Sequence, residues 1–198
     1  MRGPESSPRR IDTVKLGWYG VLSRGSGQAP RLVRVKKRSA TSENEKAVQG
    51  TIEAIYIAPS GGAAIEKLEQ IETIAHRGLA GDRYCEGTGY WSGTDECQVT
   101  LIEAEDLEAI QRDSRIKVLN GEHRRNLVVR DLRLGDLAGK QFRIGTTVLE
   151  YDRPRPPCAY IQSLTEPGMT KALLACGGIC ARVVESGVIR VGDAVVVD

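Results

Sequence analysis

From Thr51 onward the chain is a succession of short β-branched or apolar runs, each cut off after a few residues by glycine, proline or a polar turn. TIEAIYIA (Thr51 to Ala58) stops at Pro59-Ser60-Gly61-Gly62, and QVTLI (Gln98 to Ile102) stops at an acidic stretch. LVV (Leu127 to Val129) precedes the turn-rich segment Asp131 to Leu137. Gly139 to Ile144 and Thr146 to Tyr151 flank Gly145-Thr146 as a hairpin, and Ile179 to Glu185 and Val191 to Val197 flank Gly187 and Gly192-Asp193 as a final pair of strands. Runs of this length and composition are strands, and their punctuation by turn residues restricts the chain to a predominantly β architecture. Many short strands leave many edges, and closure removes them. The expected fold is therefore a mainly β, closed or nearly closed barrel with a few short helices. Helical spacing is confined to Glu103 to Arg112, with acids in its first turn, to Gly168 to Ala175, and to the polar stretch Ala64 to Ile71.

Composition changes near Gln49. Residues 1–48 carry eleven Lys or Arg against four Asp or Glu, a balance of +7 in a chain whose net charge is +2. The remainder is thus −5. Residues 1–48 are expected to be a basic, flexible N-terminal extension, with one short strand over Arg31 to Lys36, and residues 49–198 to be the folded domain. A basic arm can contact nucleic acid or another acidic partner, but solvated tails of this kind are common and nucleic acid is not the expected partner. Ser7-Pro8-Arg9-Arg10 before Leu16 to Leu22 imitates a twin-arginine signal without its apolar length or cleavage site. No apolar run is long enough for a membrane helix.

The five cysteines, Cys85, Cys97, Cys158, Cys176 and Cys180, are odd in number, widely spread and free of C-x-x-C pairs. That pattern fits free thiols in a reducing, cytoplasmic setting rather than a disulfide framework or a zinc ribbon, and Cys176 and Cys180 read as structural. Cys158 differs from the rest. It ends Arg153-Pro154-Arg155-Pro156-Pro157-Cys158, where three prolines fix φ and leave the segment few backbone states to lose. Arg153 and Arg155 supply positive potential beside the sulfur, which favours the thiolate needed for nucleophilic attack or metal ligation.

Other candidates surround it in the sequence. TIAHRGLAGDRY (Thr73 to Tyr84) presents Asp82 and Arg83 on a tight turn, with His76 just before it. EGTGYWSG (Glu86 to Gly93) is a glycine-rich loop whose Tyr90 and Trp91 can cover a ligand or cap the core, and it lacks the strand and helix flanks of a phosphate loop. Arg124-Arg125-Asn126 stands at the mouth of a strand; if the strand has already begun there, adjacent side chains alternate, and one arginine is expected to bind an anion while the other pairs at the surface.

Taken together, GLAGDRY (Gly78 to Tyr84), VTLIEAE (Val99 to Glu105), RRNLVV (Arg124 to Val129), LGDLAGKQFRIG (Leu134 to Gly145), RPRPPC (Arg153 to Cys158) and GGICARVVESGVIRVGDAV (Gly177 to Val195) resemble the MOSC domain, named for the C-terminal domain of molybdenum cofactor sulfurases. The resemblance implies a barrel of the pyruvate-kinase β-barrel kind, with Cys158 at the catalytic position. It implies two roles for that cysteine. As the ligand of molybdenum in molybdenum cofactor, it would serve the reduction of N-hydroxylated small molecules; as a persulfide, it would carry sulfur for metal–sulfur cofactor assembly. The cofactor-binding candidates carried over are Arg124, Arg125, Asn126, Arg153 and Arg155, with Asp82 fixing the loop or a polar ligand edge. The sequence holds no ferredoxin cysteine set, no flavin or nicotinamide motif and no pyridoxal-phosphate sulfurase domain, so pyridoxal phosphate is a family-level association only. An external electron donor, or a separate sulfur-donor protein, would have to act with the chain.

Overall fold

A computed structural model describes residues 49–95 and 97–197. The basic N-terminal segment, its twin-arginine imitation and the strand expected over Arg31 to Lys36 lie outside the described residues. Seven strands close into a barrel: β1 (Gln49–Ile57), β5 (Val99–Glu103), β6 (Leu127–Arg130), β7 (Gln141–Ile144), β8 (Thr147–Pro154), β9 (Ile179–Glu185) and β11 (Ala194–Val197). Their order around the wall is β1-β11-β7-β8-β9-β5-β6 and back to β1. All pairings are antiparallel except β5 with β6, where Leu101 faces Leu127 in parallel register. Closure is made by β1, which pairs with β11 through Gln49 to Thr51 and with β6 through Thr51 to Ile55. β2 (Glu66–Leu68) extends the end of β1, while β3 (Gln70–Ile74), β4 (Gly78–Leu79) and β10 (Gly187–Arg190) form a separate three-stranded sheet.

β5, β6 and the later part of β1 are apolar on both faces because both faces are covered there, whereas β7 alternates and leaves Gln141 and Arg143 exposed. Ile55 of β1, Leu101 of β5 and Leu127 and Val129 of β6 point into the barrel with Phe142, Ile144, Leu149, Val183 and Val195. Their neighbours Ala54, Tyr56, Ile102 and Val128 point outward, where α1 (Ala104–Ser114), α2 (Ala159–Leu164) and α3 (Met169–Ala172) cover them with Leu107, Ile110, Ile161 and Met169. Ile52 and Ile55 share the inner face despite their odd spacing. A bulge between Ile52 and Ala54 absorbs Glu53 and resets the alternation.

Three sequence expectations change. Ala64 to Ile71 is not helical: its helix-forming Glu66, Lys67 and Leu68 are held extended by pairing with Tyr56 and its neighbours on β1, and Gln70 and Ile71 by pairing with β10. Cross-strand pairing here overrides local propensity. The expected final pair of strands is three strands, because Ser186 and Gly187 turn the chain out of the barrel into β10 before β11 returns to it, so β9 and β11 are not neighbours. Finally, Cys97 and Cys180 are joined in a disulfide with Cα atoms 5.6 Å apart. Folding brings Cys97, two residues before β5, against Cys180 of β9, a proximity across 83 residues that no local spacing could signal. Cys85, Cys158 and Cys176 are free. Among the described residues no helix is long and apolar enough to cross a membrane.

Candidate functional site

Strand β8 delivers the proline-rich run to the barrel mouth, and two hydrogen bonds hold it there. The Arg155 amide donates to the Gly178 carbonyl at 2.8 Å. From the other side Arg125 donates through Nη2 to the Arg155 carbonyl at 3.3 Å and through Nε to the Gly177 carbonyl at 2.7 Å. Gly177 and Gly178 are required for this approach. A Cβ on Gly178 would stand 2.0 Å from the Leu101 carbonyl oxygen, at a φ of 83° that side-chain-bearing residues rarely adopt. The run ends at Cys158, extended and immediately before α2, with its carbonyl accepting from the Thr170 hydroxyl at 3.2 Å. Its side chain is half-buried and lines two clefts. One is walled by Arg83, Arg124, Arg125, Arg155, Tyr84 and Tyr160, the other by Asp95, Arg153 and the three prolines, and Trp91 lines both.

Four arginines thus converge on the first cleft, and their counter-ions are unequal. Arg83 donates to Asp82 at 3.0 Å, and Arg155 to Asp95 at 2.9 Å. Arg153, in the second cleft, pairs with Asp95 and Asp152. Arg124 and Arg125 have no carboxylate partner among the described residues. Both Arg124 terminal nitrogens donate to the Ala63 carbonyl at 3.1 Å, and Arg125 reaches only the carbonyls of Gly177, His123 and Arg155. Burial pushes the Arg125 guanidinium down to about 9, with Arg155 adding to the effect and the Cys158 sulfur partly offsetting it. Burial, reinforced by Arg83, lowers Arg124 as well. A buried cation without an anion is costly, so this cleft favours an anionic occupant. For Asp95 burial alone would raise the carboxyl, but the hydrogen bonds and charges of Arg155 and Arg153 outweigh it and hold it below the usual carboxylate range.

The condition for Arg124 and Arg125 to face opposite ways, a strand already begun, is not met. Strand β6 begins only at Leu127, and Arg124 sits at φ 55°, so the alternation of a strand does not yet apply and both side chains line the same cleft. Asn126 and Asp82 stand behind the site rather than in it. The Asn126 Oδ1 accepts from the Thr100 amide and hydroxyl at 3.0 and 2.7 Å, while its Nδ2 donates to the Tyr56 carbonyl and to Asp82 at 3.1 and 3.2 Å. Asp82, fully buried, also accepts from the amides of Ala58 and Tyr84, each at 3.2 Å. The pair fastens the turn bearing Arg83 to β1 and β5 and to the segment bearing Arg125. It leaves neither side chain open to a ligand.

Sequence reading missed Asp95, Tyr84 and Tyr160 as site residues and assigned Arg83 no role. The motif GLAGDRY carried Arg83 and Tyr84; nothing local marked Asp95 or Tyr160. Tyr90 is not a core cap: it is 57% exposed and stacks on Tyr160 with ring centroids 3.8 Å apart. His76 is exposed and takes no part in the Cys158 clefts. The second histidine, His123, is fully buried, accepts from the Arg125 amide through Nδ1 at 2.9 Å, and is pushed down to about 3 by burial and then by Arg125.

Molybdenum cofactor can be tested against these residues. No three His, Cys, Asp or Glu side chains come together as a metal-binding group among the described residues. A metal here would have to arrive already chelated, needing from the chain one soft ligand and donors for its carrier's negative charge. A half-exposed thiol beside two uncompensated guanidinium groups matches that requirement.

Comparison with known proteins agrees with the architecture. The solved structures of the YuaD protein from Bacillus subtilis and YiiM from Geobacillus stearothermophilus superpose with TM-scores of 0.63 and 0.59 at 18% and 16% identity. The first covers 77% of this chain and 97% of that one, the second 75% of each. YiiM from Escherichia coli gives 0.54 at 15%, covering 75% of this chain and 69% of that one. At these identities the likeness is one of fold. No curated protein matches the chain. The family model for the MOSC domain matches residues 88–196, which include β5 to β11, the Cys158 run and both uncompensated arginines, and the chain belongs to the MOSC domain family.

Proposed function

We propose that this protein binds molybdenum cofactor through Cys158 and reduces N-hydroxylated compounds with electrons from an external donor, in the cytoplasm. The observation that carries the reading is the pairing of a half-buried thiol with Arg124 and Arg125, two cations that lack carboxylate partners among the described residues. Cys158 would be the protein's metal ligand. Arg124 and Arg125 would hold the cofactor's anionic groups, with Arg153 and Arg155 shared between ligand and Asp95. When bound, the cofactor would supply the two-electron chemistry that removes oxygen from an N–O bond. The chain's own part is to hold the thiolate in place through the Arg155–Gly178 contact, to neutralise the ligand, and to cover the cleft with Trp91. Residues 49–198 would form the catalytic domain and residues 1–48 a basic extension.

A second reading uses the same thiol. Cys158 lies between two clefts, an arrangement suited to receiving sulfur on one side and delivering it on the other. The thiolate would attack the terminal sulfur of a donor protein's persulfide, forming a new S–S bond on Cys158 and releasing the donor thiolate. Expression in a host that makes the cofactor separates the two readings. Molybdenum and pterin that co-purify with the wild-type chain and are lost in Cys158→Ser support the first; a persulfide on Cys158 after exposure to a cysteine desulfurase, without metal, supports the second. A wild-type chain that carries neither molybdenum and pterin nor a persulfide on Cys158 overturns both.

A further inference from the structure

We infer that the two clefts at Cys158 take different ligands: the first holds an anionic group, and the second is the substrate subsite, where Trp91 selects a flat, uncharged ring. The inference rests on the reading of Cys158 as the reaction centre.

Size and charge separate the clefts. The first has a volume of about 40 Å³. A single water needs about 10–15 Å³, so this space holds one oxyanion group and no ring. The second, at about 340 Å³, lies within the range of about 300–1,000 Å³ usual for small-molecule sites. Arg124 and Arg125 of the first cleft donate only to carbonyl oxygens. The arginines of the second are already countered. Asp95 pairs with Arg153 and, at 2.9 Å, with Arg155, while Asp152 pairs with Arg153 and, at 2.7 Å, with Arg182. An anion therefore gains most in the first cleft, and an uncharged body loses least in the second.

The lining of the second cleft suits a ring. Trp91, Pro154, Pro156 and Pro157 supply its apolar surface, and Cys158 lines the same space. Proline holds its φ and the indole turns about only two bonds, so these walls lose little freedom when a ligand arrives. An aromatic ring gains offset or edge-on contact with an indole beyond the area it buries, and a saturated ring of the same size does not. Trp91 is held in place before any ligand binds. Its carbonyl accepts from the Thr94 amide and hydroxyl, each at 3.0 Å, and from the Asp95 amide at 2.9 Å. The Asp95 carboxylate in turn accepts from Arg155, three residues before Cys158. The indole also meets Tyr90 edge-on, with ring centroids 4.9 Å apart. Because Cys158 lines both clefts, a ring in the second can present its N–O group to the sulfur while an anionic group stays on Arg124 and Arg125.

The test uses the full chain from a host that makes no molybdenum cofactor, so that ring binding is read apart from metal binding and the two can fail separately. Benzohydroxamic acid is flat, uncharged at neutral pH and carries an N–O bond. At saturation it should slow iodoacetamide labelling of Cys158 by about threefold or more, with Cys176, which lines neither cleft, as the internal reference. Cyclohexanecarbohydroxamic acid, similar in size without the flat ring, should bind about fivefold more weakly by calorimetry. Trp91→Leu should remove that preference, and Trp91→Phe should keep it. Labelling of Cys158 that benzohydroxamic acid does not slow overturns the inference, as does equal affinity of the wild-type chain for the two acids. A preference that survives Trp91→Leu overturns the role given to the indole. Tyr160 lines only the first cleft, so a preference lost in Tyr160→Leu would place the ring there and overturn the division.

Discussion

Replacing Asn126 by alanine separates a scaffold from a ligand at this site. Asn126 is 1% exposed and makes four side-chain hydrogen bonds, at 2.7 to 3.2 Å, one of them to the Asp82 carboxylate. At about 1 kcal/mol for each of the three neutral bonds and about 2 for the bond to the carboxylate, the sum is about 5 kcal/mol. Water entering the void would re-satisfy part of that, so the expected loss is about 3–5 kcal/mol. Urea unfolding followed by tryptophan fluorescence measures it as a fall in the midpoint at constant slope. The chain that remains folded should still bind an oxyanion, because Asn126 does not line either cleft. A loss below about 1 kcal/mol, accompanied by loss of oxyanion binding, would show that Asn126 is a ligand and that the buried network is misread.

Other outcomes follow from the same contacts. Gly178→Ala would drive a Cβ to 2.0 Å from the Leu101 carbonyl at a positive φ; it should cost about 3 kcal/mol or more by thermal or urea unfolding, and a neutral result would refute the close packing beneath Cys158. Because His123 is pushed from 6.5 down to about 3 by burial and then by Arg125, it takes up a proton more readily in the unfolded chain. Its stabilisation is full above pH 6.5 and lost as pH falls towards 3, by up to about 5 kcal/mol. His123→Gln, which can still accept from the Arg125 amide, should flatten urea midpoints between pH 6.5 and 4.5, and an unchanged slope would contradict the burial of a neutral imidazole. Sulfate or molybdate, compared with chloride at equal ionic strength, should raise the melting temperature by about 2–4 °C. Arg125→Met should abolish that rise, and an undiminished rise would place the anion elsewhere.

The barrel was legible because its signals are local. Gly145-Thr146 between two β-branched runs marks the β7–β8 hairpin, and the acids of Glu105 and Asp106 mark the start of α1. Cys158 was legible for a similar reason, since proline rigidity and flanking arginines are properties of six consecutive residues. What failed depended on partners distant in sequence. Glu66 to Leu68 became a strand only because the end of β1 needed a neighbour, and Cys97 met Cys180 only through the β5–β9 pairing. Arg124 escaped strand alternation through one backbone angle. The sequence could not show that Asn126 and Asp82 are buried behind the arginines and bonded to each other, because that burial comes from Tyr56, Ala58 and Thr100, distant in sequence. Asp95 gave no local sign, because its importance comes from the two arginines that fold against it.

The most direct test is the coordination of molybdenum itself. X-ray absorption at the molybdenum edge, on chain expressed in a cofactor-producing host, should show a thiolate sulfur ligand that disappears in Cys158→Ser, with pterin and metal lost together. Arg125→Met should bind less of both. Metal and pterin retained at wild-type levels in Cys158→Ser, with an unchanged sulfur shell, would contradict the account.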